Sequence, residues 1–366
     1  MTVIDQPAFD LSCFSADHVE ARSKFLRAAE SAGALLARYE NPNKGPQGED
    51  LFLDTAWLGA KDAQKVLVAV SGTHGPEGFC GSGCQIDWLS KFGAPPKGMA
   101  LLFIHALNPF GFAWLRRQTE ENVDLNRNHV DFSRPLPTNP GYVELADAFV
   151  PAALSGPSFE AAEAKITAYV EKHGMKAMRI ARSGGQYTHP EGIFFGGFGP
   201  TWSRRTMELI VRSFRMAERD LVCLIDYHTG LGPYGYGEFI IDDAPGTTGE
   251  TLANEWFGDS VTSHQLGTAS ASAQQGFVAD GWRVVLPDKL VAGTLEFGCY
   301  ALPTTHEALR EEHWHHVNGF TWNDPATRLA KAKIRRAFYP DKDDWKEMVL
   351  FRSRQVLREA TKGLLS

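Results

Sequence analysis

The stretch Val66-Leu67-Val68-Ala69-Val70-Ser71-Gly72-Thr73-His74-Gly75-Pro76-Glu77-Gly78 decides how the rest of the chain is read. Its first half is a short β-branched and aliphatic run, and such a run reads as a strand buried on both faces. Its second half is a turn that carries an imidazole, His74, and a carboxylate, Glu77, three positions apart. Gly75 and Gly78 are expected to let the backbone bend so that the two side chains converge. Open α/β sheets place their sites at the ends of buried strands. A His-x-x-Glu pair is short, so its meaning depends on what the other strand ends carry.

Working outward, the pattern of Val19, Phe25, Leu26, Ala29, Leu35 and Leu36 predicts a helix over 18–39 with Ser15 or Asp17 as N-cap. A Gly/Pro/Asn loop over 41–50 and a strand over 51–58 precede the opening stretch. A helix over 81–92 and an apolar strand over 99–106 follow, and strand, helix, strand is the signature of a parallel, helix-covered sheet. Pro135 and Pro140 interrupt the pattern, 141–174 reads as two helices, and 183–199 is a glycine-rich loop with aromatics that suits a lid or a pocket wall. A helix over 202–218, strands over 221–227, 238–241 and 290–297, a helix over 248–257 and helical segments over 305–328 and 344–365 complete the reading. The expectation is one α/β domain over 1–366, with a mixed, largely parallel twisted sheet, helices on both faces and an inserted helical and glycine-rich region at about 133–200.

Across 366 residues, 43% hydrophobic and 22% charged content is that of an ordinary globular protein, and a net charge of -7 offers no footprint for nucleic acid or an anionic membrane. Met1 to Phe14 lacks a basic start and an apolar core, so no secretory signal is expected, and no run approaches a membrane span. The five cysteines are odd in number and sit mostly in apolar surroundings, which fits buried reduced thiols and a cytoplasmic location. Cys80 and Cys84 read as small packed residues of one helix.

Polar residues gather at further strand ends: His228 after Leu224-Ile225-Asp226-Tyr227, and Glu296 after Val291-Ala292-Gly293-Thr294-Leu295. Two histidines and a glutamate, His74, Glu77 and His228, are a ligand set for a catalytic zinc, with Glu296 nearby as a general base. Asp226 shares a strand face with His228 and reads either as a partner of that ring or as a satisfied polar residue at an edge. Arg116-Arg117 and Asn126-Arg127 offer forked, always-charged donors for a substrate carboxylate or a developing oxyanion. Gly230-Leu231-Gly232-Pro233-Tyr234-Gly235 matches a dinucleotide glycine pattern, but Pro233 and the strand after it call for a turn instead of a helix. His313-Trp314-His315-His316, Arg204-Arg205, and the basic residues Lys331, Lys333, Arg335 and Arg336 read as solvated faces.

His74-Gly75-Pro76-Glu77, Asn108-Pro109-Phe110-Gly111, Asp124-Leu125-Asn126-Arg127, His228 and Thr294-Leu295-Glu296 occur in the order that marks the zinc carboxypeptidase superfamily. The chain resembles an uncharacterised bacterial branch of it, with some features of the aspartoacylase and succinylglutamate desuccinylase branch. The resemblance implies one zinc ion on His74, Glu77 and His228, Glu296 as general base, and Asp124 orienting His74. It implies that Asn126 and Arg127 hold the free carboxylate and that Arg116 or Arg117 stabilises the oxyanion. The activity it implies is exopeptidase action on a small peptide, with N-acyl amino acid deacylation or a catalytically inactive binding module as alternatives. The superfamily's tyrosine has no motif here, and Tyr234, Tyr236 and Tyr300 are its candidates. No nucleic-acid or membrane partner is expected, and the oligomeric state is open.

Overall fold

The computed structural model describes residues 7–271 and 274–366, so Met1 to Gln6 of the N-terminal segment lie outside the described residues. The chain runs through α1 (His18–Ser31), β1 (Leu35–Lys44), β2 (Asp50–Gly59), β3 (Lys65–Val70), α2 (Gly78–Lys91), β4 (Met99–His105) and α3 (Pro109–Trp114). Next come α4 (Pro140–Phe149) and α5 (Pro157–Ser183). The chain continues through α6 (Trp202–Ser213), β5 (Leu221–Tyr234), β6 (Gly237–Ile241), α7 (Thr248–Phe257), β7 (Val261–Ser263), α8 (Val278–Val285) and β8 (Leu290–Gly298). Three helices close it: α9 (Leu302–Val317), α10 (Pro325–Phe338) and α11 (Asp343–Leu365).

The strands form one eight-stranded sheet in the order β1-β2-β4-β3-β5-β8-β6-β7. The centre is parallel, with β3 paired to β4 on one side and β5 on the other, and β5 paired to β8. The β1–β2, β2–β4 and β6–β8 pairs are antiparallel, which makes the sheet mixed. Alternation along β3 explains why both faces carry helices: Leu67 and Ala69 join a core cluster with residues of α1, α2, α7 and α11, whereas Val66, Val68 and Val70 join one with α6 and α8. The chain passes from β3 to β4 on one side and then crosses to β5 on the other, which opens a crevice at the carboxyl end of β3, and the turn with His74 and Glu77 sits there.

Several expectations change. The helix predicted over 18–39 stops at Ser31, capped at its start by Asp17, which accepts from the Glu20 N–H at 2.8 Å. Gly33 turns the chain with φ 74°, and Leu35 to Lys44, partly read as helix and partly as loop, form strand β1 at the sheet edge. The apolar spacing of Leu35 and Leu36 was compatible with either period, and pairing with β2 settles it. Gly75 and Gly78 are required by packing. A Cβ on Gly75 would lie 2.0 Å from the Gly111 backbone, and one on Gly78 would meet the Phe112 ring at 3.0 Å. The positive φ belongs to Gly72, at 70°. Helices α3 and α8 and strand β7 had no counterpart in the sequence reading. The Gly230–Gly235 run closes β5 and turns into β6, and no helix begins there.

All five cysteines are buried and free of disulfides. Among the described residues, no helix is long and apolar enough to cross a membrane.

Candidate metal centre and active-site cavity

His74 follows β3, Glu77 closes the short 3-10 turn that leads into α2, and His228 lies on β5 in register with Glu296 on β8. Parallel pairing places His228 and Glu296 side by side on one face of the sheet. Residues remote in sequence thus meet because two neighbouring strands run in the same direction in this register.

Ligand atoms of His74, Glu77 and His228 all lie within 4.8 Å of one another, and all three side chains are buried. Nδ1 of His74 is 2.9 Å from Glu77 Oε1, Nδ1 of His228 is 3.0 Å from Glu77 Oε2, and the two Nδ1 atoms are 3.2 Å apart. The outer nitrogens face carboxylates as well: Nε2 of His74 lies 3.1 Å from Asp124 Oδ1, and Nε2 of His228 lies 2.8 Å from Asp226 Oδ2. Thr73 Oγ1 donates to Asp226 at 2.8 Å, and the Asn126 N–H donates to Asp124 at 2.9 Å, so both aspartates are themselves held.

Each imidazole therefore stands between two carboxylates. A neutral ring has one N–H and satisfies only one of its two contacts. Two fully protonated rings would repel across 3.2 Å between their Nδ1 atoms. A divalent cation held by His74, Glu77 and His228 would supply two positive charges at once and leave each Nε2–H to its aspartate. Two imidazoles and a carboxylate with held outer partners are a donor set that fits zinc.

The charges follow from the same contacts. Burial alone would raise the Glu77 carboxyl, but His74 and His228 hold it below the usual carboxylate range. Burial opposes charge on Asp124 too, yet Arg117, Arg127 and His74 hold it well below its ordinary value. Burial disfavours a charged His228, and Asp226 and Glu77 more than offset this and raise it well above the imidazole range. Glu296 differs: burial and then the Glu77 charge push it up to about 8. Its Oε1 accepts from the Leu231 N–H at 3.0 Å.

His74, Glu77, His228, Glu296, Arg117, Asn126 and Arg127 all line one cavity of about 120 Å³. Arg117 donates to Asp124 at 2.8 Å and to Glu77 at 3.3 Å, and its guanidinium lies 5.1 Å above the Phe194 ring. Arg127 lies 5.6 Å from the same ring, donates to the Asn126 carbonyl at 2.7 Å, and keeps Nε without a partner. Asn126 accepts from the Val278 N–H at 3.0 Å, and its amide nitrogen is 3.4 Å from His228 Nε2.

Arg116 goes elsewhere. Its side chain is fully buried away from the cavity and donates to Asn122 Oδ1 at 2.6 Å. Tyr234, Tyr236 and Tyr300 do not line the cavity either, and Tyr234 donates to Asp344 at 3.1 Å on the surface. The glycine-rich loop supplies a wall through Ser183 and Phe194, the latter in the left-handed region at φ 57°.

Two cavity residues carried no signal in the sequence. His264 on the β7 side is buried, with neither ring nitrogen in a hydrogen bond, and stacks on Phe277 at 5.2 Å. His306 enters from the first turns of α9. Neither sits at the end of an apolar run, so only tertiary packing brings them in.

The expected solvated faces need correction. Glu312 and His313 of α9 and Lys331 of α10 are buried, with Lys331 paired to Glu312. Arg335 is half-buried over the Phe79 and Tyr339 rings, and Arg204 is half-buried with its guanidinium on the Asn128 and Val130 carbonyls.

Fold and site together define an α/β chain with a buried His-Glu-His cluster at the carboxyl edge of a mixed sheet. The chain belongs to the family described as protein of unknown function (DUF2817), whose pattern matches residues 14–352. No curated protein matches it. Among solved structures it is similar to bovine thrombin-activatable fibrinolysis inhibitor in complex with tick carboxypeptidase inhibitor, at 11% identity over 93% of this chain and 98% of that one, with a TM-score of 0.42. It is also similar to the murein-tripeptide amidase MpaA from Escherichia coli O157, at 14% identity over 78% and 92% of the two chains and a TM-score of 0.37. A third is the succinylglutamate desuccinylase from Chromobacterium violaceum, at 15% identity over 87% and 74%, with a TM-score of 0.37. The superfamily and the succinylglutamate desuccinylase branch named in the sequence resemblance both occur among these structures.

Proposed function

We propose that the chain, as one hydrolase domain, is a zinc-dependent amide hydrolase of the carboxypeptidase type acting on small peptides with a free carboxylate. The observation that carries this reading is the paired imidazoles, each set between two carboxylates with their Nδ1 atoms 3.2 Å apart, an arrangement that calls for a divalent cation. His74, Glu77 and His228 would hold the ion, and Asp124 and Asp226 would fix the two rings in the Nε2–H form. Bound there, zinc supplies a Lewis acid that polarises the amide carbonyl and acidifies water.

The remaining steps belong to the chain's own groups. Glu296, beside His228 in the cavity, would take a proton from water and return it to the departing amine. Arg127, with an unpartnered Nε, and Asn126 would hold the substrate's carboxylate. Arg117 would stabilise negative charge developing on the carbonyl oxygen; Arg116, outside the cavity, is left without that role.

Deacylation of an N-acyl amino acid asks for the same groups, and one experiment separates the readings. The zinc-loaded protein is incubated with a mixture of dipeptides and N-acetyl amino acids, and loss of each amide is followed. Loss of dipeptide supports the peptidase, and loss of the acetyl amino acids alone supports the deacylase. Stoichiometric zinc with no turnover of either would leave a binding module and end the enzymatic reading.

A further inference from the structure

The catalytic cavity shares a wall with a second cavity of about 610 Å³, built by α4, α5 and α9. Phe194, His306 and Leu309 line both. Arg182, from the end of α5, lines only the outer one, and its Nη1 donates to Nδ1 of His306 at 2.6 Å. A guanidinium has donors only, so Nδ1 must offer its lone pair and the ring's single proton must sit on Nε2. Nδ1 is taken by Arg182 of the outer chamber and the ring also lines the inner one, so Nε2–H is the donor left to the inner chamber.

We infer that His306 is a substrate-contacting residue, whose Nε2–H donates to an acceptor oxygen of the bound amide, with Arg182 as the positioning residue that fixes its tautomer. The inference rests on the reading that this cavity holds the amide substrate. The surroundings agree with a neutral donor: burial, and then Arg182, Arg117 and Arg179, push the ring down to about 3. A neutral imidazole donates without adding a cation to a cavity already lined by Arg117 and Arg127.

Two measurements test it. In nitrogen-15 spectra of histidine-labelled full-length protein, the His306 signal, assigned by its loss in His306→Phe, is expected in the Nε2–H form and should move toward a tautomer mixture in Arg182→Met. Kinetics on zinc-loaded enzyme use whichever of glycylphenylalanine and N-acetylphenylalanine the wild type hydrolyses. His306→Phe should lower kcat/KM by about 10- to 100-fold with zinc content unchanged, and His306→Gln, which keeps an N–H donor, should stay within about threefold of wild type. An Nδ1–H signal in the wild type, or His306→Phe at wild-type kcat/KM, would overturn the inference while leaving the zinc hydrolase intact. If the wild type turns over neither probe, the proposed function fails on its own, and the inference about substrate contact falls with it.

Discussion

Two buried charged clusters flank the segment between α3 and α4, and its adjacent arginines supply one guanidinium to each. Arg117 enters the cavity with His74, Glu77, Asp124, His228 and Glu296. Arg116 enters the other, with Glu312, Lys331 and His313 between α9 and α10. Both contain arginine, glutamate and histidine with little exposure, and they solve the burial problem in opposite ways. In the Arg116 cluster cation meets anion: Lys331 pairs with Glu312, and burial of Glu312 is outweighed by Lys331 and Arg116, which lower it. His313, pushed down to about 4 by burial and Arg116, stays neutral and bonds the Glu191 carbonyl at 2.8 Å and the Gln118 amide at 3.3 Å. In the Arg117 cluster, carboxylates outnumber cations around the two imidazoles, and Glu296 is left with a raised affinity for a proton. One cluster sets its buried glutamate against a lysine and an arginine, whereas the other gathers an excess of carboxylates around two imidazoles, so like residue types acquire opposite proton affinities in the two.

The sharpest break of this contrast is Lys331→Met. It strands Glu312 in the interior and should cost about 3–5 kcal/mol of stability in urea unfolding, with turnover per folded molecule unchanged. Glu296→Gln is the mirror image. It should keep stoichiometric zinc and the wild-type fold but lower kcat by about 10²- to 10⁴-fold, and unaltered turnover would remove Glu296 from the mechanism. A smaller effect is expected from the ion itself: zinc at about 100 times its dissociation constant should raise the stability of the wild type by about 2.7 kcal/mol, and His228→Ala should lose most of that gain. Thermal unfolding with and without a chelator reads both.

The smallest effect is a pH dependence of the metal-free chain. The Glu296 carboxyl ordinarily releases its proton near 4.5, but in the folded chain it holds it to about 8. Between these values the folded state binds more protons than the unfolded one, so this group's contribution makes stability fall as pH rises through that window. Metal-free Glu296→Gln should therefore match the wild type near pH 4 and exceed it by at least about 1.4 kcal/mol, one pKa unit's worth, near pH 8. A constant difference across that range would mean that Glu296 is not held protonated.

The sequence by itself determined the sheet's centre and the core of the site. Buried parallel strands are continuous apolar runs, so a His or Glu at the end of one is conspicuous, and His74, Glu77, His228 and Glu296 were legible for that reason. Only the tertiary structure decided what depends on which side of a local segment faces inward. It sent Arg116 and Arg117 to different clusters, made 35–44 an edge strand, buried Lys331 against Glu312, and brought His264 and His306 to the cavity. Strand composition is set by burial on both faces and can be read locally, whereas the partner of a charged or aromatic side chain is set by elements distant in the chain, whose approach no local period encodes.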